Sequence, residues 1–172
     1  MSDIKSKYPS TSSVALTISL GSLASSSTLL AGQESTYIDN TTDLDIDHLL
    51  SGKIRTGTSP TVSTRIELWV ITPYKIVSGT PSWPDVFDGT NSAETITSDN
   101  VKQSLCVRAW STLVDATTDR DYFIPETSIK SLYGGSMPPF WEVFVTHNTA
   151  VNLNSTGGNH ELHYFRVQRQ TV

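Results

Sequence analysis

A single cysteine, Cys106, in 172 residues leaves no partner for an internal disulfide and no thiol set for a zinc site. Cohesion must then come from a buried core or from neighbouring subunits. Charge is scarce as well. Asp, Glu, Lys and Arg make up 17% of the chain, against about 25% in an ordinary soluble domain. The net charge of −5 comes without the basic patch that displaces phosphate counterions, so nucleic acid is not an expected partner. Lys5 with Lys7 and Arg166 with Arg169 are the nearest approaches to basic clusters, and each reads as a solvated end or strand face. No apolar run approaches the roughly 20 residues of a membrane helix, and the opening MSDIKSKYPSTSS lacks the apolar stretch of a signal peptide. The expectation is synthesis in a cytoplasm and no membrane partner.

Catalytic signatures are missing too. There is no G-x-S-x-G, no P-loop and no dinucleotide glycine motif. Asp43-Leu44-Asp45-Ile46-Asp47-His48 has the alternating carboxylates that open a calcium loop, but His48 and Ile54 stand where that loop needs Gly and a bidentate Glu. The run reads instead as a strand whose acidic face is solvated or meets a partner. His160 and His163 fall on opposite faces of a strand, whereas His147 and His160 flank one loop and are a candidate pair across a hairpin. Cys106 reads as a small core or interface residue. Neither an enzyme nor a bound cofactor or metal is expected.

What the chain does contain is hydroxyl-rich, alternating sequence. In Leu49–Ile71, Ile66, Leu68 and Val70 share one face of an extended chain while Arg65, Glu67 and Trp69 share the other. The connector TGTSPT, from Thr56 to Thr61, predicts a chain reversal and hence a β-hairpin. Val14, Leu16, Ile18 and Leu20 alternate in the same way. Further strands are expected near residues 24, 44, 105, 122, 141 and 161, where Leu105, Val107, Ala109 and Leu113 oppose Cys106, Arg108, Trp110 and Thr112, and Leu162, Tyr164 and Arg166 oppose His163, Phe165 and Val167. One helical turn is predicted at Ser98–Lys102, capped by Ser98 or Asp99. A second, the longest helix, is predicted between Pro125 and Gly134. About eight strands with unequal, often long connections predict an all-β fold, an antiparallel β-sandwich of jelly-roll type rather than an up-and-down barrel. The domain organisation expected is an N-terminal arm or tail over residues 1–12 and one β domain over 13–172.

Two binding readings follow from the residues. Trp83, Trp110, Trp141 and Tyr164 are candidates for an aromatic platform that would bind sugars, set against the more frequent role of strand Trp in a core. The segment SGTPSWPDVFDGTNS, from Ser78 to Ser92, is a long loop with buried-type aromatics, and such loops pack on themselves or bind something.

Three segments carry a resemblance: LLAGQESTYIDNTTDLDIDHLLSGKIRTGTSPT, then IELWV with PSWPDVFDGTNSAET, then FWEVFVTHNTAVNLNSTGGNHELHYFRV, together spanning most of residues 29 to 167. They resemble a family of small proteins encoded among the structural genes of tailed bacteriophages. The resemblance implies a virion structural protein, one that decorates or cements the capsid, with the major capsid protein as partner and a homotrimer as its assembly. A tail or fibre component is the competing role. The resemblance carries no site residues. Candidate partner contacts are taken from the arm (Tyr8, Pro9) and the long loops (Gly57, Pro60, Trp83, Phe87, Asn154).

Overall fold

The computed structural model describes residues 4–8 and 13–171. Its strands are β1 (Ile4–Lys7), β2 (Val14–Ala15), β3 (Ala31–Glu34), β4 (Ile38–Asp39), β5 (Asp47–Arg55), β6 (Arg65–Ile71), β7 (Lys75–Val77), β8 (Thr80–Ser82), β9 (Ala93–Thr95), β10 (Cys106–Leu113), β11 (Asp121–Ser128), β12 (Phe140–His147) and β13 (Glu161–Thr171). Two short helices, α1 (Asp99–Leu105) and α2 (Ile129–Leu132), interrupt them.

The strands form two antiparallel sheets. One has the order β2-β13-β5-β11, with β1 continuing beside β13; the other has the order β3-β12-β6-β10, with β9 added outside β3. Taken in chain order, the eight principal strands alternate between these sheets at every step except β6 to β10, which are hydrogen-bonded neighbours. This is jelly-roll wrapping, as the strand count and long connections predict.

The core between the sheets is built by the predicted alternation. Ile66, Leu68 and Val70 of β6 and Trp141, Val143 and Val145 of β12 meet Leu50, Ile54, Ile124, Leu162 and Tyr164 from the facing sheet, all buried. Leu16 and Leu20, in the extended chain after β2, join the same core. Each fully buried aliphatic side chain there is worth roughly 1.5–3 kcal/mol.

Several expectations need correction. Leu49–Ile71 is not a hairpin: β5 pairs with β11 and β13, whereas β6 pairs with β10 and β12 in the other sheet. The reversal at 56–64 is real, but it is an arch that carries the chain across the core, because both strands need their apolar face on that core. The strand expected near 24 starts at Ala31. The acidic run is not a strand over Asp43–Asp45; that part is a turn, and β5 begins at Asp47. The helix predicted between Pro125 and Gly134 forms as α2, but Pro125 does not stop the strand before it: it lies inside β11, where the register against β5 shifts between Ile124 and Thr127, a bulge being where a strand tolerates proline. The longer helix is therefore α1, capped by the Ser98 side chain on the Val101 N–H. In β10 a bulge between Arg108 and Trp110 breaks the predicted two-face pattern. Arg108 lies over Trp69 on the outer face, Trp110 packs on the inner core, and Leu113 is exposed.

The outer face of the second sheet is also covered. Trp69 and Ile71 of β6, Phe144 of β12 and Cys106 of β10 form a second apolar cluster with Phe87 and Ile96, closed by Trp83, Val86, Val101 and Leu105. The cover is the insertion between β6 and β10, residues 72–105.

Candidate functional site

The arches gather at one end of the sandwich. The turn at 56–60, the turn at 115–120 and the loop at 148–159 are tied by the Asp119 N–H to Gly57 C=O bond (3.2 Å), the Asn154 side chain to Asp119 (2.8 Å) and the Asn154 N–H to Arg55 C=O bond (3.2 Å). The segment after β2 joins through Ser22 N–H to Asn154 C=O (3.1 Å). Gly57 and Asn154, predicted as contacts from separate stretches, therefore line one shallow depression together with Thr58, Asp119 and Asn152.

Not all predicted contact residues are free to touch a partner. Gly57 and Pro60 are buried, and only Thr58 and Ser59 between them are exposed. A Cβ on Gly57 would stand 2.2 Å from the Asn152 carbonyl oxygen, so the glycine is there to let the two loops pack. Phe87 is 4% exposed and lies edge-on to Phe144 with ring centroids 5.6 Å apart, so its side chain is committed to the second cluster. Trp83 is half-buried beside Tyr37. Asn154 is half-buried and its side chain also bonds Thr156 and Asn159. Tyr8 is exposed; Pro9 lies outside the described residues.

The aromatic platform does not form. Trp141 and Tyr164 are buried and pack edge-on inside the inner core, on a different face from Trp83. Trp141 donates its indole N–H to Nδ1 of buried His48 (2.9 Å), which obliges the Nε2 of that ring to carry the proton toward Asp45 Oδ2 (3.0 Å). Asp45, expected on a solvated face, is 4% exposed and accepts from Arg166 Nε at 2.7 Å. Burial pushes the Asp45 carboxyl up, but the bonds from Arg166 and His48 outweigh it and hold it below the usual range. Burial drives His48 below its ordinary value.

The remaining histidines are each occupied, His163 by the Ser51 hydroxyl at 3.0 Å. His147 is fully buried, donating Nε2–H to the Leu23 carbonyl (3.0 Å) with Nδ1 against the Thr149 hydroxyl (2.9 Å), and burial pushes it down to about 4. His160 bonds the Asn154 carbonyl (2.9 Å) and receives the Arg55 N–H (3.3 Å). β12 and β13 lie in opposite sheets, so the proposed pair across a hairpin does not arise. Among the described residues no group of three or more His, Cys, Asp or Glu is placed to hold a metal ion. Cys106 is buried, and desolvation raises its thiol to about 12, far from a reactive thiolate.

Two features escaped the sequence reading. Beneath the cover, Glu34 and Glu142 are both fully buried and face each other; burial raises both, to about 7 and about 10, as one coupled pair. Their spacing in sequence gave no signal, because only the β3–β12 pairing brings them together. The second feature is on the surface. β1 lies against the last four residues of β13, beyond the part of β13 that β5 covers, so Ile4–Lys7 and Gln168–Thr171 form a two-stranded ribbon. It carries Lys5, Lys7 and Arg169 and no carboxylate, and every residue of β1 is exposed. A hairpin, β7–β8, also exposes Tyr74, Ile76 and Val77.

Comparison with protein-family models, with curated proteins and with solved structures gave no match.

Proposed function

We propose that the protein is a structural component of a tailed-phage virion that decorates or cements the capsid by clamping neighbouring subunits of the major capsid protein, acting as a homotrimer. The observation that carries this reading is the cationic ribbon of Ile4–Lys7 and Gln168–Thr171 on a chain of net charge −5. A two-stranded ribbon is marginal by itself in water, and one with no core beneath it gains most from a partner surface. The four-loop end, with Thr58, Ser59 and Asn154, lies at the opposite end of β13 from the ribbon, giving one domain two separated contact regions. Many weak contacts of this kind add up on a shell, where effective concentration is high. The resemblance of three segments within residues 29–167 to tailed-phage structural proteins supports the same role, and the jelly roll suits it.

The test is cosedimentation of the purified protein with capsids assembled without it. Binding is expected, with occupancy reduced at least tenfold by the triple charge reversal Lys5→Glu, Lys7→Glu and Arg169→Glu and weakened by salt. Recovery of the protein in tail fractions alone would overturn the capsid role and favour the tail.

A further inference from the structure

We propose that Glu34 and Glu142 share one proton and that this bridged carboxyl pair is a latch holding the 72–105 cover closed over the outer face of the second sheet. Both side chains are fully buried, on adjacent strands. One oxygen of Glu34 accepts the N–H groups of Asp88 (3.2 Å) and Gly89, which belong to the cover. Its other oxygen and both oxygens of Glu142 have no donor from the protein. Two ionised carboxylates cannot donate to each other, yet these two share one buried face of adjacent strands, Glu34 standing opposite Phe144 and Glu142 two residues along. One bridging proton supplies the missing donor, while two charges without it would repel in a medium that screens them poorly.

Among the described residues no neighbouring cation offers an alternative. The titratable groups among the described residues that are close enough to act electrostatically on the pair are Asp88 of the cover, Glu94 of β9, Cys106 of β10 and, from the inner side of the sheet, Tyr133 after α2, all of them acids. Lys102 of α1 is spent on Glu67 (3.4 Å) and the Leu29 carbonyl (2.8 Å), and Arg108 lies over Trp69 near the exposed edge. Gly89 is fixed as the point of attachment: its φ is +80°, and a Cβ there would stand 2.6 Å from Trp83 Nε1. Removing the proton therefore weakens the hold on a segment that carries Trp83 and Phe87.

The pair holds two protons in acid and shares one between its two steps, and the latch loosens as the first proton leaves and is released when the second leaves in alkali. Both folded values lie above the ordinary carboxyl value of 4.5, so the folded state binds more protons, and stability is full below that pH and declines as pH rises through the pair's two steps. Between pH 5 and pH 9 the melting temperature of the wild-type protein should fall by on the order of 10 °C, with amide exchange at Asp88 and Gly89 accelerating first. Glu142→Gln places a permanent N–H donor opposite Glu34 and should flatten that fall. Infrared spectroscopy of the wild-type protein at pH 7, with a protonated-carboxyl carbonyl band insensitive to solvent, tests the proton without any variant. Absence of that band, or a melting temperature unchanged from pH 5 to 9, overturns the proposal. So does a rise in melting temperature with added calcium or magnesium in the wild type that is lost in Glu142→Gln, since the pair would then hold a cation.

Discussion

The two faces of the β12 sheet are covered in different ways. On the inner face, Trp141, Val143 and Val145 meet aliphatic side chains of a second hydrogen-bonded sheet, and the polar atoms present are paired. On the outer face, Phe144 shares its surroundings with Glu142, Glu34 and the Glu67–Lys102 pair, beneath an insertion built of one short helix, short strands and turns. Buried charges cost several kcal/mol of desolvation that their partners only partly return. The inner face should therefore set global stability, while the cover should open first as a local unit.

The largest effect should come from breaking the inner face. Trp141→Ala removes a fully buried ring and leaves His48 Nδ1 without its donor; a loss of about 4 to 5 kcal/mol is expected in denaturant melts. Phe87→Ala should cost about 3 kcal/mol by the same cavity argument, but the loss should appear as faster amide exchange over residues 83–98, with exchange in β5 and β13 little changed. An equal change in both sheets would abolish the distinction between the two cores.

The pH response sharpens it further. His147 lies on the inner face with its folded value lowered from 6.5 to about 4. The unfolded chain therefore binds the proton first, and its contribution, on the order of 3 kcal/mol, is present above pH 6.5 and lost as pH falls toward 4. His147→Gln should flatten this acid limb in melts from pH 7 to 4, leaving the alkaline limb from Glu34 and Glu142 intact. One strand, β12, would thus carry an acid-sensitive group on one face and an alkali-sensitive group on the other. The smallest effect is expected outside both cores, where Tyr74→Ser on the exposed β7–β8 hairpin should change stability by less than about 0.5 kcal/mol.

Much of the architecture was legible because alternation has a local cause. The period of two in Ile66–Val70 and in Leu162–Tyr164 follows from the extended backbone, and it placed those residues on the core correctly. Which strands pair is a non-local choice, and the 56–61 turn looks the same whether it closes a hairpin or an arch. The bulge at Ala109 inverts the faces of half a strand with no mark in composition. The same limit applied to the candidate site. Gly57 and Asn154 were recognisable as loop residues, but their convergence depends on the wrapping of the sheets. Phe87 was recognisable as an aromatic in a long loop, and burial decided between packing and contact. Asp45 was misplaced because Arg166, its charge partner, is 121 residues away.

The β6–β10 connection has an evolutionary reading. Because these strands are neighbours in one sheet, the chain leaves and re-enters at adjacent points, and everything from 72 to 105 is an excursion that the wrapping of the other strands does not require. A segment joined in this way can lengthen, shrink or be exchanged without rethreading the barrel-like winding around it. Its inner surface, by contrast, has become part of the protein, since Trp69, Ile71 and Phe144 would be left wet without it. Relatives with a short β6–β10 turn should therefore carry polar residues at those three positions.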